Sequence, residues 1–493
     1  MPRDQSTLPI VLSLDVGSSS VRCLAFDARG RALPGVTAQR THAPHLTPDG
    51  GVELDPGQLV ESALDCLGQV SARVAGQGRA IAGVGVCTFW HAFLGVDAGG
   101  RAITPVYMWN DMRAAGQVPW LRARLDARAL HGRTGCVPHP SYLPARLLWL
   151  RESAPGLYAR CHRFLSIGAY LEQHLFGDVR CGLSMASGTG LLDQTRGGWD
   201  AELLTLLELE PERLAPLEAA PRPRAGLRKV AADALPHLRD VPFLAAIGDG
   251  AASNLGSGAC APGTAAVMLG TSAAMRAFHV GALPPVPEGL WRYHLDGERH
   301  LVGGALSNGG NLMGWLGQTL RLPAPRTLAR ELAQLRPAGH GLDVLPFLFG
   351  ERNPHYPLEA TGMLRGLRGG TTPVQIYQAC MEAVAYRLLA IWERLFPLVV
   401  PLAPAGAGFI ASGGLLRAGG WPQLLADVLG QPVHLSRVGE SSARGAALFA
   451  LEGLGLLEAA HTLPPPLGKT FTPNPAHRDA SQAAYARHLA LEG

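Results

Sequence analysis

The chain has 493 residues, more than one hydrophobic core normally supports, so two or more domains are expected. Hydrophobic residues make up 47% and charged residues 17%, a balance typical of a globular protein and not of a disordered one. The 43 Lys and Arg residues nearly match the 39 Asp and Glu residues and form no long basic run, which argues against a nucleic-acid partner.

The first residues pass from a short polar segment into a strand pattern, without the apolar core and cleavage site of a signal peptide. The eight cysteines form no C-x-x-C pair, a pattern typical of a reducing compartment. Residues 395–416 carry no charge, but their prolines and glycines argue against a helix that spans a membrane. We therefore expect a cytoplasmic protein with no membrane partner.

Residues 10–26 predict a β-hairpin, with two apolar strands around a turn of glycine and serine. The turn contains Gly17, Ser18 and Ser19, and it closely follows Asp15. Backbone N–H groups at glycine and serine hydroxyls can contact a phosphate, and a nearby carboxylate can hold hydrated Mg²⁺. The turn by itself is equally compatible with an ordinary hairpin that uses serine for its turn chemistry.

Helical periodicity follows in residues 119–130, 145–155 and 167–177, and Gly177 is the predicted C-terminal cap of the last of these helices. Residues 211–242 are rich in proline and mixed charge, unlike the sequence before them. This change predicts a domain boundary there, with one domain at 1–242 and a second at 243–493.

The second domain begins with "FLAAIGDGAASNLGSG", in which an apolar strand runs into Asp249. Gly248 and Gly250 flank this acid, so the segment is either a tight turn or a carboxylate with open space beside it that reacting groups must reach. Asp249 could also act as an N-terminal cap of the helix that starts near Ala251, and the two roles are compatible.

The hairpin pattern then returns in residues 264–278, where Leu269, Gly270, Thr271 and Ser272 align with residues 16–19. Two copies of a strand, a hydroxyl-bearing turn and a strand predict a duplicated α/β fold whose turns face each other. Such turns could hold a polyphosphate from both sides. The second copy has Met268 where the first has Asp15, so the first copy alone brings a carboxylate to its turn.

Near the end, residues 408–433 predict a buried strand, the pair Gly413 and Gly414, and a helix. Without side chains at these two positions, a ribose or a flat base could lie against the backbone. A βα turn that needs positive φ explains the glycines equally well.

With these motifs in their order, the chain resembles the FGGY carbohydrate kinases of the actin-like ATPase superfamily. The similarity rests on "LDVGSSSVR", "MWNDMR", "SMASGTGLLD", "GDG", "LGTS" and "ASGG", which extend over nearly the whole chain. One departure is Arg146, where the family commonly has lysine. The resemblance implies an α/β protein of two ribonuclease H-like domains that bind ATP and a sugar in the cleft between them.

The resemblance also implies roles for particular residues. Asp249 would be the catalytic base that accepts the proton of the sugar hydroxyl, and Asp15 would lie near Mg²⁺ through water. The remaining nucleotide contacts would come from Gly17, Ser18, Ser19, Gly270 and Thr271 at the phosphates and from Gly413 and Gly414 at the nucleoside.

The segments "CTFWHAF" and "MWNDMR" supply the expected sugar contacts, which are Trp90, His91, Trp109, Asp111 and Arg113. Both tryptophans could instead belong to the core, and Asp111 and Arg113 could pair with each other. If the sugar is charged, Arg113 is the candidate for binding its carboxylate.

The motifs at residues 184–193 and 350–356 resemble the gluconokinase branch, so gluconate is the expected substrate, with xylulose or another ketose or polyol as the alternative. Two other classes of protein stay open at this point: a catalytically silent nucleotide-binding relative and a sugar-binding module without ATP chemistry. A homodimer is compatible with the sequence, but no feature selects it.

Overall fold

The computed structural model describes residues 9–357, 359–402 and 408–491. The first eight residues, which the sequence predicts to be a short polar segment, lie outside these ranges. Part of the uncharged stretch at 395–416 also lies outside them. Within the described ranges, no helix has both the length and the apolar character needed to cross a bilayer.

The strands of the first half belong to one large sheet and several short ribbons; they are β1 Ile10–Val16, β2 Ser20–Phe26, β3 Ala32–Thr41, β4 His45–Leu46, β5 Val52–Leu54, β6 Ile81–Thr88, β7 Leu94–Val96, β8 Val106–Tyr107, β9 Arg163–Leu165, β10 Cys181–Gly182, β11 Leu192–Asp193, β12 Gly198–Trp199, β13 Leu217–Glu218 and β14 Ile247–Gly248. The helices of this half are α1 Pro56–Gly76, α2 Val118–Arg122, α3 Ala127–Thr134, α4 Leu143–Ser153, α5 Pro155–Arg160, α6 Ile167–Phe176, α7 Leu183–Ser187, α8 Ala201–Leu207, α9 Lys229–Ala234 and α10 Asp249–Ser257.

The second half is built in the same way, and its strands are β15 Thr264–Leu269, β16 Ala273–Val280, β17 Trp291–His294, β18 Arg299–Leu306, β19 Asp343–Leu345, β20 Met363–Arg365, β21 Gly408–Ser412, β22 Val433–Ser436 and β23 Leu467–Phe471. Its helices are α11 Gly310–Thr319, α12 Pro325–Leu332, α13 Pro373–Val399, α14 Trp421–Leu429, α15 Ser441–Gly453 and α16 Arg478–Leu489.

The two large sheets have the same topology. In the first the order is β3-β2-β1-β6-β14, and in the second β18-β16-β15-β21-β22 forms the centre, with β17 and β23 added at the edges. In each sheet the first three strands of this order pair antiparallel with one another, and each of the last two strands pairs in parallel with the strand before it. The expected duplication is therefore present, and it includes both predicted hairpins.

Local signals explain several helix ends. Gly177 ends α6 in the left-handed conformation, as predicted from its position after the apolar period. The helix expected over 119–130 is instead two helices, because Asp126 accepts hydrogen bonds from Arg128 N and Ala129 N and begins α3 anew. At α13, Thr372 and Gln375 form a capping box.

The region proposed as a boundary, residues 211–242, packs on the first half. Leu235 and Leu238 are fully buried in the core beneath the first sheet, and β14, which follows this region, pairs with β6 in that sheet. The C-terminal helix α15 also returns to the first half, where it packs on β1 and β6. Each half has a main core, and the core of the first half also includes Trp291, Tyr293 and Leu301 of the second half. The helices α10 and α15 lie against each other where the halves join.

Candidate active site

Three neighbouring parallel strands of the first sheet end at the same edge. Val16 of β1 pairs with Thr88 of β6, and Thr88 pairs with Gly248 of β14. The turn after β1, the loop after β6 and Asp249 after β14 therefore lie side by side. Ligands of α/β proteins bind at this carboxyl edge, because loops and helix N-termini converge there.

Asp249 is the first residue of α10 and is partly buried. Its Oδ1 accepts a hydrogen bond from Gly250 N at 2.7 Å. Burial raises the pKa of this carboxyl to about 6; the positive charge of Arg276 opposes the shift, and the negative charge of Asp15 adds to it. Because Arg276 belongs to the second sheet and Asp15 to the first, the carboxylate lies between the two sheets.

The structure explains the two glycines beside Asp249 differently from what the sequence led us to expect. A β-carbon built on Gly248 would lie 1.8 Å from Cε2 of Trp90, and one on Gly250 would lie 2.6 Å from Cζ3 of the same ring. The indole of Trp90 thus fills the space that the interpretation as an accessible carboxylate leaves open to reacting groups. The glycines let this ring and the guanidinium of Arg276 approach the backbone of the acid.

Asp15 is 2% exposed on β1. Its Oδ2 accepts a hydrogen bond from Arg22 Nη2 at 3.1 Å, and Arg22 also pairs with Glu440 just before α15. Burial raises the pKa of Asp15, while Arg22 opposes the rise. The carboxylate on the first turn is therefore linked, through one arginine, to a residue from the second half of the chain.

The acids near the site suit a cation that takes most of its ligands from elsewhere. Among the described residues, no group of three or more His, Cys, Asp or Glu side chains could by itself hold a metal ion. Asp15 and Asp249 are close enough to repel each other. Mg²⁺ is usually held by one or two carboxylates together with water and substrate phosphates, so this donor set fits it.

Each of the two hydroxyl-bearing turns is closed by a hydrogen bond within its own backbone. Gly17 N donates to Ser20 O at 2.9 Å, and Gly270 N donates to Ser272 O at 2.9 Å. The side chains at the tips of the turns are exposed; they are Ser18, Ser19 and Thr271.

Two glycine pairs lie beside the second turn. Because β21 runs parallel to β15, with Met268 opposite Ser412, Gly413 follows β21 next to the end of β15. Gly413 has φ 111°, and a β-carbon on it would lie 2.2 Å from Leu269 O, so other residues would clash there. Gly414 is exposed, with nothing within 4 Å of its β-carbon position.

The second glycine pair, at the start of α11, was not identified from the sequence. Gly310 N donates to Gly270 O at 2.8 Å, so the N-terminus of α11 meets the second turn. Helix N-termini favour anions, and "SNGGN" before an apolar period was the signal that could have indicated it.

Trp90 and His91 form part of an aromatic wall. The Trp90 N–H donates to Ser184 O at 2.9 Å, and its ring centroid lies 4.9 Å from that of Tyr293. His91 has φ 60°, an uncommon conformation for a residue with a side chain, and its Nδ1 bonds Gly188 O. Burial lowers the pKa of His91 to about 3, so the ring is neutral.

The three residues of "MWNDMR" that were predicted to bind sugar have different neighbours in the structure. Trp109 lies under the guanidinium of Arg352, 4.8 Å from it. Asp111 and Arg113 bind each other; Arg113 also donates to Glu53 at 2.7 Å and stacks on Trp149 at 4.6 Å. The guanidinium proposed for a substrate carboxylate is therefore enclosed by two acids and an aromatic ring.

Three arginines that were not predicted to bind substrate lie beside residues of the site, which are Gly250, Trp109 and His91. Arg276 extends from β16 against Gly250, and Arg352 follows β18 in the chain and donates to Leu306 O at 3.2 Å. Arg146 is buried and donates to Pro140 O at 2.7 Å and to His91 O. Arg276 is a single arginine within the otherwise apolar strand "AAMRAF", and this pattern could have indicated it from the sequence.

Two sheets of the same topology, each with a hydroxyl-bearing turn after its central strand, are the features that indicate the class of protein. A gluconate kinase structure from Lactobacillus acidophilus superposes with a TM-score of 0.89 at 24% identity, over 99% of this chain and 98% of that one. The chain thus has the two-domain fold of the actin-like ATPases, and the predicted fold class is confirmed.

Within that class, the chain belongs to the FGGY family of carbohydrate kinases. Residues 10–256 match the N-terminal domain of the family and residues 258–453 its C-terminal domain. The prediction of a carbohydrate kinase is confirmed at the level of the family.

Two relatives illustrate the range of substrates. Gluconokinase of Bacillus subtilis (strain 168) is 24% identical over 490 residues, covering 96% of this chain and 93% of that protein. Xylulose kinase of Streptomyces rubiginosus is 30% identical over 447 residues, covering 90% and 87%. The two names differ in their sugar, so these similarities define the class of reaction and leave the acceptor unassigned.

Proposed function

We propose that the chain transfers the γ-phosphate of ATP to a hydroxyl of a small sugar or sugar acid, with Asp249 as the base. The observation that carries the proposal is the position of this acid, at a carboxyl edge between the two sheets and beside Arg276. Phosphoryl transfer asks the protein mainly for alignment and charge stabilisation, together with a carboxylate that accepts the hydroxyl proton.

We assign the nucleotide to the two turns and to the glycine pair after β21. The exposed hydroxyls of Ser18, Ser19 and Thr271, with the backbone at Gly17 and Gly270, would donate to the phosphates. The bare backbone at Gly413 and Gly414 would lie under the nucleoside. The N-terminus of α11, which contacts the second turn, would add its positive dipole end.

Asp15 is the residue that we assign to Mg²⁺, through water. The ion would neutralise charge on the phosphates. Asp15 needs no direct coordination for this role, since its Oδ2 already accepts from Arg22. The carboxylate would instead orient water molecules around the ion.

For the acceptor we propose gluconate, with xylulose or another pentulose or polyol as the second candidate. The sugar contacts of the first half would come from Trp90, His91 and Trp109. Asp111 and Arg113 would shape the loop that carries Trp109, because their charged groups already bind each other and Glu53. The cytoplasm is the compartment in which we place this reaction.

The replacement Asp249→Asn tests the role of the base while conserving size. We expect turnover to fall by about 10² to 10⁴ while sugar binding changes little, because a general base contributes roughly this factor. The measurement is a coupled assay of ADP release with gluconate, xylulose and glycerol. Asp240→Asn is the control, since Asp240 is exposed and lies nine positions earlier in the chain. Near-normal turnover of Asp249→Asn would remove the assigned role.

A further inference from the structure

We propose that the acceptor is a sugar acid and that the guanidinium of Arg276 binds its carboxylate, with Arg352 as the second cation of the pocket. This inference rests on the proposed phosphoryl transfer and deepens it. It adds to the proposed gluconate acceptor the residue that would select a sugar acid over a neutral sugar.

Arg276 is directed away from its own domain's core. On β16 the neighbouring Met275 and Ala277 pack in the core of the second half, and strand geometry sends the side chain between them to the opposite face. A β-carbon built on Gly250 would lie 3.1 Å from Nε and 3.3 Å from Cζ of Arg276. The guanidinium therefore lies against the residue that follows the proposed base.

This buried cation lacks a partner within the described residues. Arg276 is 8% exposed, its Nε is buried without a hydrogen-bond acceptor, and its guanidinium forms no hydrogen bond or ion pair there. An unpaired charge away from water is costly, and buried arginines are normally paired. Asp249 lies close enough to favour the charged form, although burial lowers the pKa of Arg276.

Arg352 brings a second positive charge toward the first. It stacks on Trp109 and donates one hydrogen bond to a carbonyl, but its Nε is buried without an acceptor. The two guanidinium groups are close enough to disfavour each other's charge. An anion between or beside them would relieve this repulsion and would satisfy donors that the described residues leave open.

Two acids near this pocket already bind cations outside it, and a third, Glu351, lies near a buried arginine of α13. Asp15 binds Arg22, Asp111 binds Arg113, and Glu351 lies 3.7 Å from Arg387. The carboxylate that faces Arg276 is that of Asp249. Glu351 faces both Arg352 and Arg387, so three arginines (Arg276, Arg352 and Arg387) stand against two acids (Asp249 and Glu351). This excess of positive charge suits an anionic acceptor better than a neutral one.

The position along the strand favours a carboxylate over the phosphoryl group. Arg276 is three residues beyond Ala273, the first residue of β16 after the hydroxyl-bearing turn, or about 10 Å along the strand. The cation is thus displaced from the turn that would hold phosphates. It lies instead among the aromatic rings of Trp90 and Tyr293, which could face the carbon chain of a sugar acid.

The test compares gluconate with glucitol, which has a CH₂OH group in place of the carboxylate and is otherwise a matched ligand. We expect the wild-type protein to bind gluconate more tightly in calorimetry. Arg276→Met should weaken gluconate binding by about 10- to 100-fold, as expected for the loss of a charged hydrogen-bond pair, and should leave glucitol binding unchanged. Arg276→Lys should fall between, because lysine keeps the charge and loses the two-pronged geometry.

Arg101→Met is the matched control for the loss of one positive charge, because the Arg101 side chain is 85% exposed and pairs with Asp97. Folding is checked by thermal melting without ligand. Since Arg276 is buried and forms no hydrogen bond or ion pair within the described residues, its replacement by methionine should not lower the melting temperature. Should Arg276→Met nevertheless fail to fold, Arg276→Lys and Arg352→Met would carry the comparison.

Three results would overturn the inference: equal affinity of the wild type for both ligands, equal weakening of both ligands in Arg276→Met, or unchanged gluconate affinity with slower turnover of every acceptor. The last result would assign the cation to the phosphoryl group. Selective gluconate binding that depends on Arg276, without turnover of any acceptor, would support recognition of the acid and contradict the proposed transfer. The two proposals therefore fail separately.

Discussion

At the scale of single residues, the chemistry of Asp249 is set by neighbours from distant parts of the chain. Ser184 Oγ accepts from Gly248 N at 3.0 Å and fixes the backbone just before the acid. The first-turn position in α10 favours a negative charge, as does Arg276, whereas burial disfavours it. The balance leaves a carboxyl pKa of about 6, close to the operating range expected for a base.

This pKa predicts the pH dependence of activity with a neutral acceptor. Asp249 acts as a base in its ionised form, so kcat/KM should rise from pH 5 to pH 7, with an apparent pKa of about 6. Activity at pH 5 should be about tenfold below the plateau. His91 and His139, with pKa values of about 3, stay neutral throughout this range. A flat profile from pH 5 to pH 8, in protein shown to remain folded, would contradict the assignment.

At the scale of elements, α10 and α15 touch through their backbones. A β-carbon on Gly445 would lie 1.8 Å from Ala252 O, and one on Gly256 would lie 1.8 Å from Ser441 O. α10 begins with the proposed base, and α15 begins after Glu440, which pairs with Arg22 beside Asp15. The spacing of these two helices therefore affects both carboxylates of the site.

Gly445→Ala is expected to force the two helices apart. Because the obstructing atom belongs to the backbone, we expect the free energy of unfolding to fall by about 1 to 3 kcal/mol. Turnover should fall as well, since the shift moves Asp249. Both effects can be measured by denaturant unfolding and by the coupled assay.

Gly68→Ala in α1 is the matched control, because its β-carbon would meet Leu235 at an ordinary 3.7 Å. Helix propensity predicts no loss of stability there, and a gain of up to about 1 kcal/mol. Equal behaviour of Gly445→Ala and Gly68→Ala would show that the contact between the helices has no energetic role.

At the scale of the whole molecule, the two halves are connected by more than one crossing of the chain. The passage from β14 through α10 leads from the first sheet to the second, and α15 returns to the first. The fit of α15 is close, since a β-carbon on Gly85 of β6 would lie 2.0 Å from Ala446 O. Strand β17 also meets the first half, where His294 N donates to Ser187 Oγ at 3.0 Å. We expect the halves to close around bound ligands, and closure would exclude water from the transferred phosphoryl group.

Closure should be visible in solution. A non-hydrolysable ATP analogue with Mg²⁺ and the acceptor should lower the radius of gyration in small-angle X-ray scattering, because the domains approach each other around the ligands. Acceptor alone is the control for a simple binding effect. The same radius with and without the full ligand set would contradict this closure.

Local patterns in the amino-acid sequence were enough to predict the hairpin strands, the two hydroxyl-bearing turns, their duplication and the acid at the end of β14. Periodicity, turn residues and caps are properties of neighbouring residues, so Asp15, Thr271 and Asp249 could be identified as candidates from residue order alone. The family motifs extended this to the class of reaction, which the comparisons confirmed.

Which groups meet was decided by tertiary packing. It brought Arg276 against Gly250, filled the space beside Asp249 with Trp90, enclosed Arg113 between two acids, and returned α15 to the first sheet. Most of these contacts join residues far apart in the chain. They depend on burial and on the pairing of charges in three dimensions, which no local pattern of the sequence encodes.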